Sequence, residues 1–262
     1  MLQDDPSANS SHAPYVVSYL DEAQRARAEE VARQLEQPLI TGDTHQPFVL
    51  MVTEAGLELH HHTQTNARPT ILRCDIGSPE ILRRLAGGKS QDLAKAVGIR
   101  KGQPLPHVLD ATAGLGRDSF VLAHLGCHVQ MVERHPLIAA LLADGLARGT
   151  QNPQTASVTS RLSLVQADAR NVLSSLNHSD TTYPTVIYLD PMYPPTNKGA
   201  LPKKEMQVLR QLLGADEVMG LLEQSLALEG VRVVVKRPKH APATPKPNTS
   251  FKGKQTRFDV YV

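Results

Sequence analysis

From His107 to Val235 the chain repeats one pattern: a short apolar run, a segment of helical period, then another apolar run. The apolar runs are Val108-Leu109, His128 to Val132, Leu162 to Gln166, Thr185 to Leu189 and Val231 to Val235. Helices are expected between them at Ser119 to Leu125, Pro136 to Arg148, Arg170 to Leu176 and Lys204 to Leu228, the last broken at Gly214. Short strands without polar alternation, separated by helices, form a parallel sheet covered on both faces. The predicted fold class is therefore α/β, a doubly wound, Rossmann-like sheet. Thr249 to Gly253 and Gln255 to Val262 read as an antiparallel hairpin that closes it.

The chain upstream reads differently. Residues 1–13 are rich in Ser, Asn, Asp and Pro and are expected to be a disordered tail. Residues 14–76 are expected to form a small α+β unit: a strand at Tyr15 to Leu20, a helix from Asp21 to Leu35, and a hairpin of Phe48 to Thr53 with Leu57 to His60. The larger domain is expected to span residues 77–262. Its first helix starts at Ser78-Pro79, with Ser as N-cap and Pro in the first turn, and a second runs from Ser90 to Val97, stopped by Gly98.

Composition narrows the class of partner. No run approaches the roughly 20 apolar residues of a membrane span, and the acidic N-terminus is no secretory signal. With only Cys74 and Cys127, both in core-like contexts, a cytoplasmic protein without disulfides is expected. The net charge of +2 hides a polarity: residues 231–258 carry eight cations and no acid, leaving 20 basic against 26 acidic residues elsewhere. That asymmetry fits a polyanionic partner.

Asp110-Ala-Thr-Ala-Gly-Leu-Gly-Arg-Asp118 carries a strand end into a glycine turn and a helix. Gly114 and Gly116 allow a tight turn and close approach of backbone to a ligand. A dinucleotide fingerprint would want a third glycine at Ser119, and Asp110 puts a carboxylate on the strand end instead. S-adenosylmethionine, with an ammonium and a sulfonium and no pyrophosphate, suits such a turn, and Asp110 or Asp118 is expected at its amino-acid end. Glu133 ends the next strand, where a carboxylate can accept both ribose hydroxyls, and Asp168 ends the third, in reach of an adenine amine.

Asp190-Pro-Met-Tyr-Pro194 follows the fourth strand and offers a carboxylate, a rigid carbonyl and a ring together. An aromatic amine is a poor nucleophile because its lone pair is delocalised. Hydrogen bonds from the amine to Asp190 and to the carbonyl of Pro191 or Met192 localise that pair, and Tyr193 can stack on the base. Lys236, Arg237 and Lys239 at the fifth strand end, with Lys203 and Lys204, are expected to hold phosphates beside the target. His60-His61-His62 is set aside as a metal site, because adjacent strand residues face opposite ways.

These residues resemble a known family. The Asp110–Asp118 string, Ala139-Ala-Leu-Leu142 with Asp144-Gly-Leu-Ala-Arg-Gly149, Tyr188-Leu-Asp-Pro-Met192 and Val233-Val-Val-Lys-Arg-Pro238 look like the bacterial 16S rRNA guanine-N2 methyltransferase J family. The likeness runs from about Gly87 to the C-terminus. It implies a class I methyltransferase domain that transfers a methyl from S-adenosylmethionine to the exocyclic N2 of one guanosine near the 3′ end of small-subunit rRNA. Cofactor contacts are implied at Arg117 and Asp118, Glu133 and Arg134, Asp168 and Ala169, and Asp190. The chain departs from the family at Asp168 and Ala169, where serines are common, and at Tyr193, where Phe is frequent.

The expected partner is 16S rRNA or the 30S subunit, with no membrane and no metal. Two other readings stay open at this point: N-methylation of another acceptor, such as a DNA adenine or a protein glutamine, and a non-catalytic RNA-binding assembly factor.

Overall fold

The computed structural model describes residues 14–41, 46–63, 68–85, 87–193, 204–213 and 218–262. The expected disordered tail, the break at Gly214 and Lys203 lie outside the described residues. The chain divides into two compact units, residues 1–72 with 194–216, and residues 73–193 with 217–262. The division thus falls after Leu72, and a later stretch of chain returns to the first unit.

The first unit holds a four-stranded sheet of order β1-β2-β3-β4. Its strands are β1 (Val16–Tyr19), β2 (Phe48–Thr53), β3 (Gly56–His61) and β4 (Thr70–Leu72). Helix α1 (Arg25–Gln34) links β1 to β2, which run parallel, and buries Ala28 and Ala32. β2 and β3 form the expected hairpin, with Thr53 opposite Gly56. Leu50, Val52 and Leu59 are fully buried in it. His60 meets Glu58 at 2.9 Å, and His61 packs on Phe48 with ring centroids 4.8 Å apart.

The second unit begins with α2 (Pro79–Leu85) and α3 (Asp92–Val97). The Ser78 hydroxyl accepts from the Ile81 amide at 3.4 Å, as an N-cap does. Then follow β5 (His107–Asp110), α4 (Arg117–His124), β6 (His128–Glu133), α5 (Pro136–Gln151), α6 (Ala156–Thr159), β7 (Leu162–Gln166), α7 (Ala169–Ser174) and β8 (Val186–Leu189). Helix α8 (Lys204–Leu213) belongs to the first unit, where it packs on β4. Helix α9 (Val218–Leu226), β9 (Arg232–Pro238), β10 (Thr249–Lys252) and β11 (Thr256–Tyr261) complete the second.

The seven strands lie in the order β10-β11-β9-β8-β5-β6-β7. β5 through β9 are parallel, and β11 inserts antiparallel between β9 and β10. Val233, Val234 and Val235 in β9 are at most 1% exposed. Branched side chains suit a strand covered on both faces, and each such valine contributes about 1.5–3 kcal/mol by burial. The chain winds outward from β5 in both directions, so a crevice opens above the carboxyl ends of β5 and its neighbours. Cys74 and Cys127 are both buried and unbridged. Among the described residues, no helix is long and apolar enough to cross a membrane.

Candidate active site

The glycine turn sits between β5 and α4 at this crevice. Gly116 caps α4 at φ +70°, and a Cβ there would lie 2.8 Å from Leu142 Cδ1 on α5. Gly114, at φ +54°, has no heavy atom within 4 Å of where a Cβ would stand. A side chain at Gly116 would therefore press on Leu142, while Gly114 leaves an open face beside bare backbone.

Glu133 braces that turn. Its Oε2 accepts from the Gly114 amide at 2.9 Å and its Oε1 from the His135 amide at 2.8 Å.

Asp110, one of the two acids expected at the amino-acid end of the cofactor, lies inside the fold. At 2% exposure it accepts from Ser119 Oγ and, at 3.2 Å, from the Thr112 amide, tying β5 to α4. Burial raises its pKa to about 7. Asp118 is likewise turned inward, at 6% exposure, with Arg84, the Tyr188 hydroxyl at 2.6 Å and the Lys236 ammonium at 2.8 Å around it. Burial pushes this carboxyl upward, but Lys236 and Arg84 overcome it and hold the group well below the usual carboxylate range. Both acids, expected at the amino-acid end of the cofactor, thus lie beneath the crevice with partners inside the protein.

Lys236 also reaches Asp190, with Nζ 2.6 Å from Oδ2. The Asp190 amide donates to Thr112 Oγ1 at 2.6 Å, which fixes the start of the Asp-Pro-Met-Tyr loop to the glycine turn. The Asp190 side chain is 37% exposed, so its carboxylate opens onto the crevice. Pro191 is buried, and Met192 and Tyr193 are half-buried. The Arg237 guanidinium lies 5.8 Å from the centroid of the Tyr193 ring, a cation–π distance.

The remaining expected residues separate into two sets. Asp168 caps α7 through the Arg170 amide at 2.8 Å and binds the Arg170 guanidinium at 2.6 Å. Ala169 is buried, Arg117 is half-buried and Arg134 is exposed. Of the expected phosphate contacts, Arg237 is 5% exposed and ion-paired with Asp259 at 3.0 Å, while Lys236 is committed to two carboxylates. Both of these cations are thus paired within the protein. Lys239 and Lys204 are exposed.

Sequence reasoning missed Arg84, Tyr188 and the pairing of Lys236 with Asp118 and Asp190. One signal was present: a lysine directly after three buried valines must pair, because an unpartnered charge is not left at the end of a core strand.

The arrangement fits S-adenosylmethionine. Gly114 offers an uncovered turn, Glu133 a carboxylate at that turn, and Asp190 a negative, partly open wall toward a cationic ligand.

A family model described as "Putative SAM-dependent methyltransferase" matches residues 32–262. A ribosomal RNA small subunit methyltransferase J from Photobacterium profundum is 47% identical over 228 residues, covering 85% of this chain and 89% of its own. One of the same name from Pseudomonas aeruginosa is 42% identical over 260 residues, 98% of this chain and 96% of its own. The crystal structure of a SAM-dependent methyltransferase from Neisseria gonorrhoeae superposes with a TM-score of 0.71 at 31% identity, covering 94% of this chain and 95% of that one. With a glycine turn, an Asp-Pro-Met-Tyr loop and relatives matched over nearly its whole length, the chain belongs to the ribosomal RNA small subunit methyltransferase J family of SAM-dependent methyltransferases.

Proposed function

We propose that the protein methylates the exocyclic N2 of one guanosine near the 3′ end of 16S rRNA, acting in the cytoplasm on the small ribosomal subunit. The observation that carries this reading is the juxtaposition of the Asp190 loop with the glycine turn, joined by the Asp190 amide and Thr112 Oγ1 at 2.6 Å. The relatives' names support small-subunit rRNA as the acceptor.

S-adenosylmethionine supplies an electrophilic methyl on a sulfonium, so this chain's residues need only orient a weak nucleophile against it. Asp190 accepts one amine hydrogen and the Pro191 carbonyl the other, drawing the lone pair out of the ring system. Tyr193 stacks on the guanine and fixes the angle of approach. Holding reactants at near-attack geometry is worth roughly 7–11 kcal/mol at best, and it is the main source of rate here. After transfer, the amine proton passes to the Asp190 carboxylate, the nearest acceptor, and on to water. Glu133 takes the ribose hydroxyls. Arg117, Arg134, Asp168 and Ala169 line the rest of the cofactor's path.

The test is transfer of labelled methyl to unmodified 30S subunits with nucleoside analysis. N2-methylguanosine in 16S rRNA is expected. No incorporation, with cofactor binding retained, would move the acceptor elsewhere.

A further inference from the structure

The eight cations between residues 231 and 258 are not equivalent. Arg237 and Arg257 are 5% and 7% exposed and share Asp259. Lys236 is held between Asp118 and Asp190, and Arg232 donates its Nε to the Ala96 carbonyl at 2.6 Å. Those four serve the fold. Lys239, Lys246, Lys252 and Lys254 are exposed.

Strand register divides the exposed four. Pro238, at the end of β9, lies opposite Thr256, and the Lys239 amide donates to the Gln255 carbonyl at 2.9 Å. Lys252 ends β10 opposite Arg257, and Lys254 lies in the turn that the Gly253 amide closes on the Thr256 carbonyl at 2.8 Å. These three lysines therefore gather where β9 ends. Leu189 lies opposite Val235, so Asp190 emerges on that same edge. Lys246 lies toward the other edge: Asn248, two residues on, donates its amide to the Val260 carbonyl at 2.9 Å, and Val260 pairs with Val234 in the first half of β9. Asp92 on α3 approaches the turn, 3.6 Å from the Cβ position of Gly253, but it has Lys95 beside it at 3.6 Å.

We propose that Lys239, Lys252 and Lys254 form a phosphate track that carries RNA flanking the target base out of the crevice over the β10–β11 turn, with Lys246 outside it. This deepens the rRNA reading above and rests on it. Lysine suits the task, because a hydrated point charge on a flexible stem meets a phosphate without fixed geometry. Such contacts set orientation without reading sequence.

The experiment uses the full chain, the triple variant Lys239→Ala, Lys252→Ala, Lys254→Ala, its all-arginine counterpart, and Lys246→Ala alone. Affinity for a 3′-terminal 16S rRNA fragment is measured from 50 to 200 mM salt, with the KM for 30S subunits and calorimetric affinity for the cofactor. Each neutralised phosphate contributes roughly 0.7–0.9 to the slope of log affinity against log salt. The triple alanine variant should flatten that slope by about 2 and raise the KM at least ~10-fold, with cofactor affinity intact. The arginine variant should retain the slope, and Lys246→Ala should stay within about twofold of wild type. An unchanged slope in the triple variant, or an equal loss in Lys246→Ala, overturns the track. If wild type methylates no rRNA the substrate reading fails separately, and the salt slope still judges the track.

Discussion

Lys236 and Asp190 form an ion pair with Nζ 2.6 Å from Oδ2, and the same ammonium lies 2.8 Å from Asp118. One cation thus offsets two carboxylates, one of them sealed in the core and the other opening on the crevice. Removing it leaves Asp118 with Arg84 and leaves Asp190 repelled by its neighbour. Lys236→Met should lower stability by about 3 kcal/mol, as loss of one partner of a largely buried pair does. It should lower single-turnover transfer by ~100-fold, through an Asp190 that no longer holds its position. Lys236→Arg keeps the charge and should recover most of the stability. Denaturant melts and rapid-quench transfer read the two effects separately.

Asp190→Asn separates chemistry from fold. The amide keeps the backbone bond to Thr112 and leaves Lys236 its bond to Asp118. Transfer should fall ~100-fold or more, since the anionic acceptor for the amine is gone. The melting temperature should stay close to wild type, and transfer is read at saturating cofactor, because loss of the charge also weakens cofactor binding. A variant with near-normal transfer would remove Asp190 from the proposed chemistry.

The two glycines of the turn should respond in opposite ways. Both have positive φ, so alanine costs about 1–2 kcal/mol at either. Gly116→Ala adds a collision with Leu142 at 2.8 Å and should lose a further ~1–3 kcal/mol. Gly114→Ala meets nothing within 4 Å in the protein, so its methyl enters the ligand's space. It should weaken cofactor binding at least ~10-fold while remaining the more stable of the two. Paired melts and calorimetry decide this.

Asp110 gives the fold a pH dependence of known sign. Burial raises its pKa from 3.8 to about 7, so between those values the folded state holds a proton that the unfolded state has lost. Its contribution is present at low pH and declines as pH rises through that window. Asp110→Asn, neutral throughout, should gain stability relative to wild type on going from pH 5 to pH 8. A constant difference between the two melting curves across that range would contradict the assignment.

Local signals read well and distant ones did not. β7 occupies Leu162–Gln166 as expected, and α5 starts at Pro136, because apolar runs and helix-start residues act over a few positions. β4 was missed because three residues carry no detectable alternation. The burial of Asp118 could not be read locally either, since its partners Arg84, Tyr188 and Lys236 lie 34, 70 and 118 positions away. Asp190 and Glu133 stand out in the sequence because acids at successive strand ends mark a crevice without any knowledge of their partners. Exposed and paired cations look identical in a sequence, which is why Lys239 and Arg237 were grouped together.

The return of α8 to the first unit bears on the order in which the chain can fold during synthesis. β4 ends at Leu72, and the helix that packs on it begins at Lys204, after four strands of the second unit have been made. Val208 and Leu212 are buried, so the earlier unit waits for them with apolar surface uncovered. The unit translated first is therefore completed late, and the long intervening segment must collapse on its own local contacts before the loop between β4 and α8 can close.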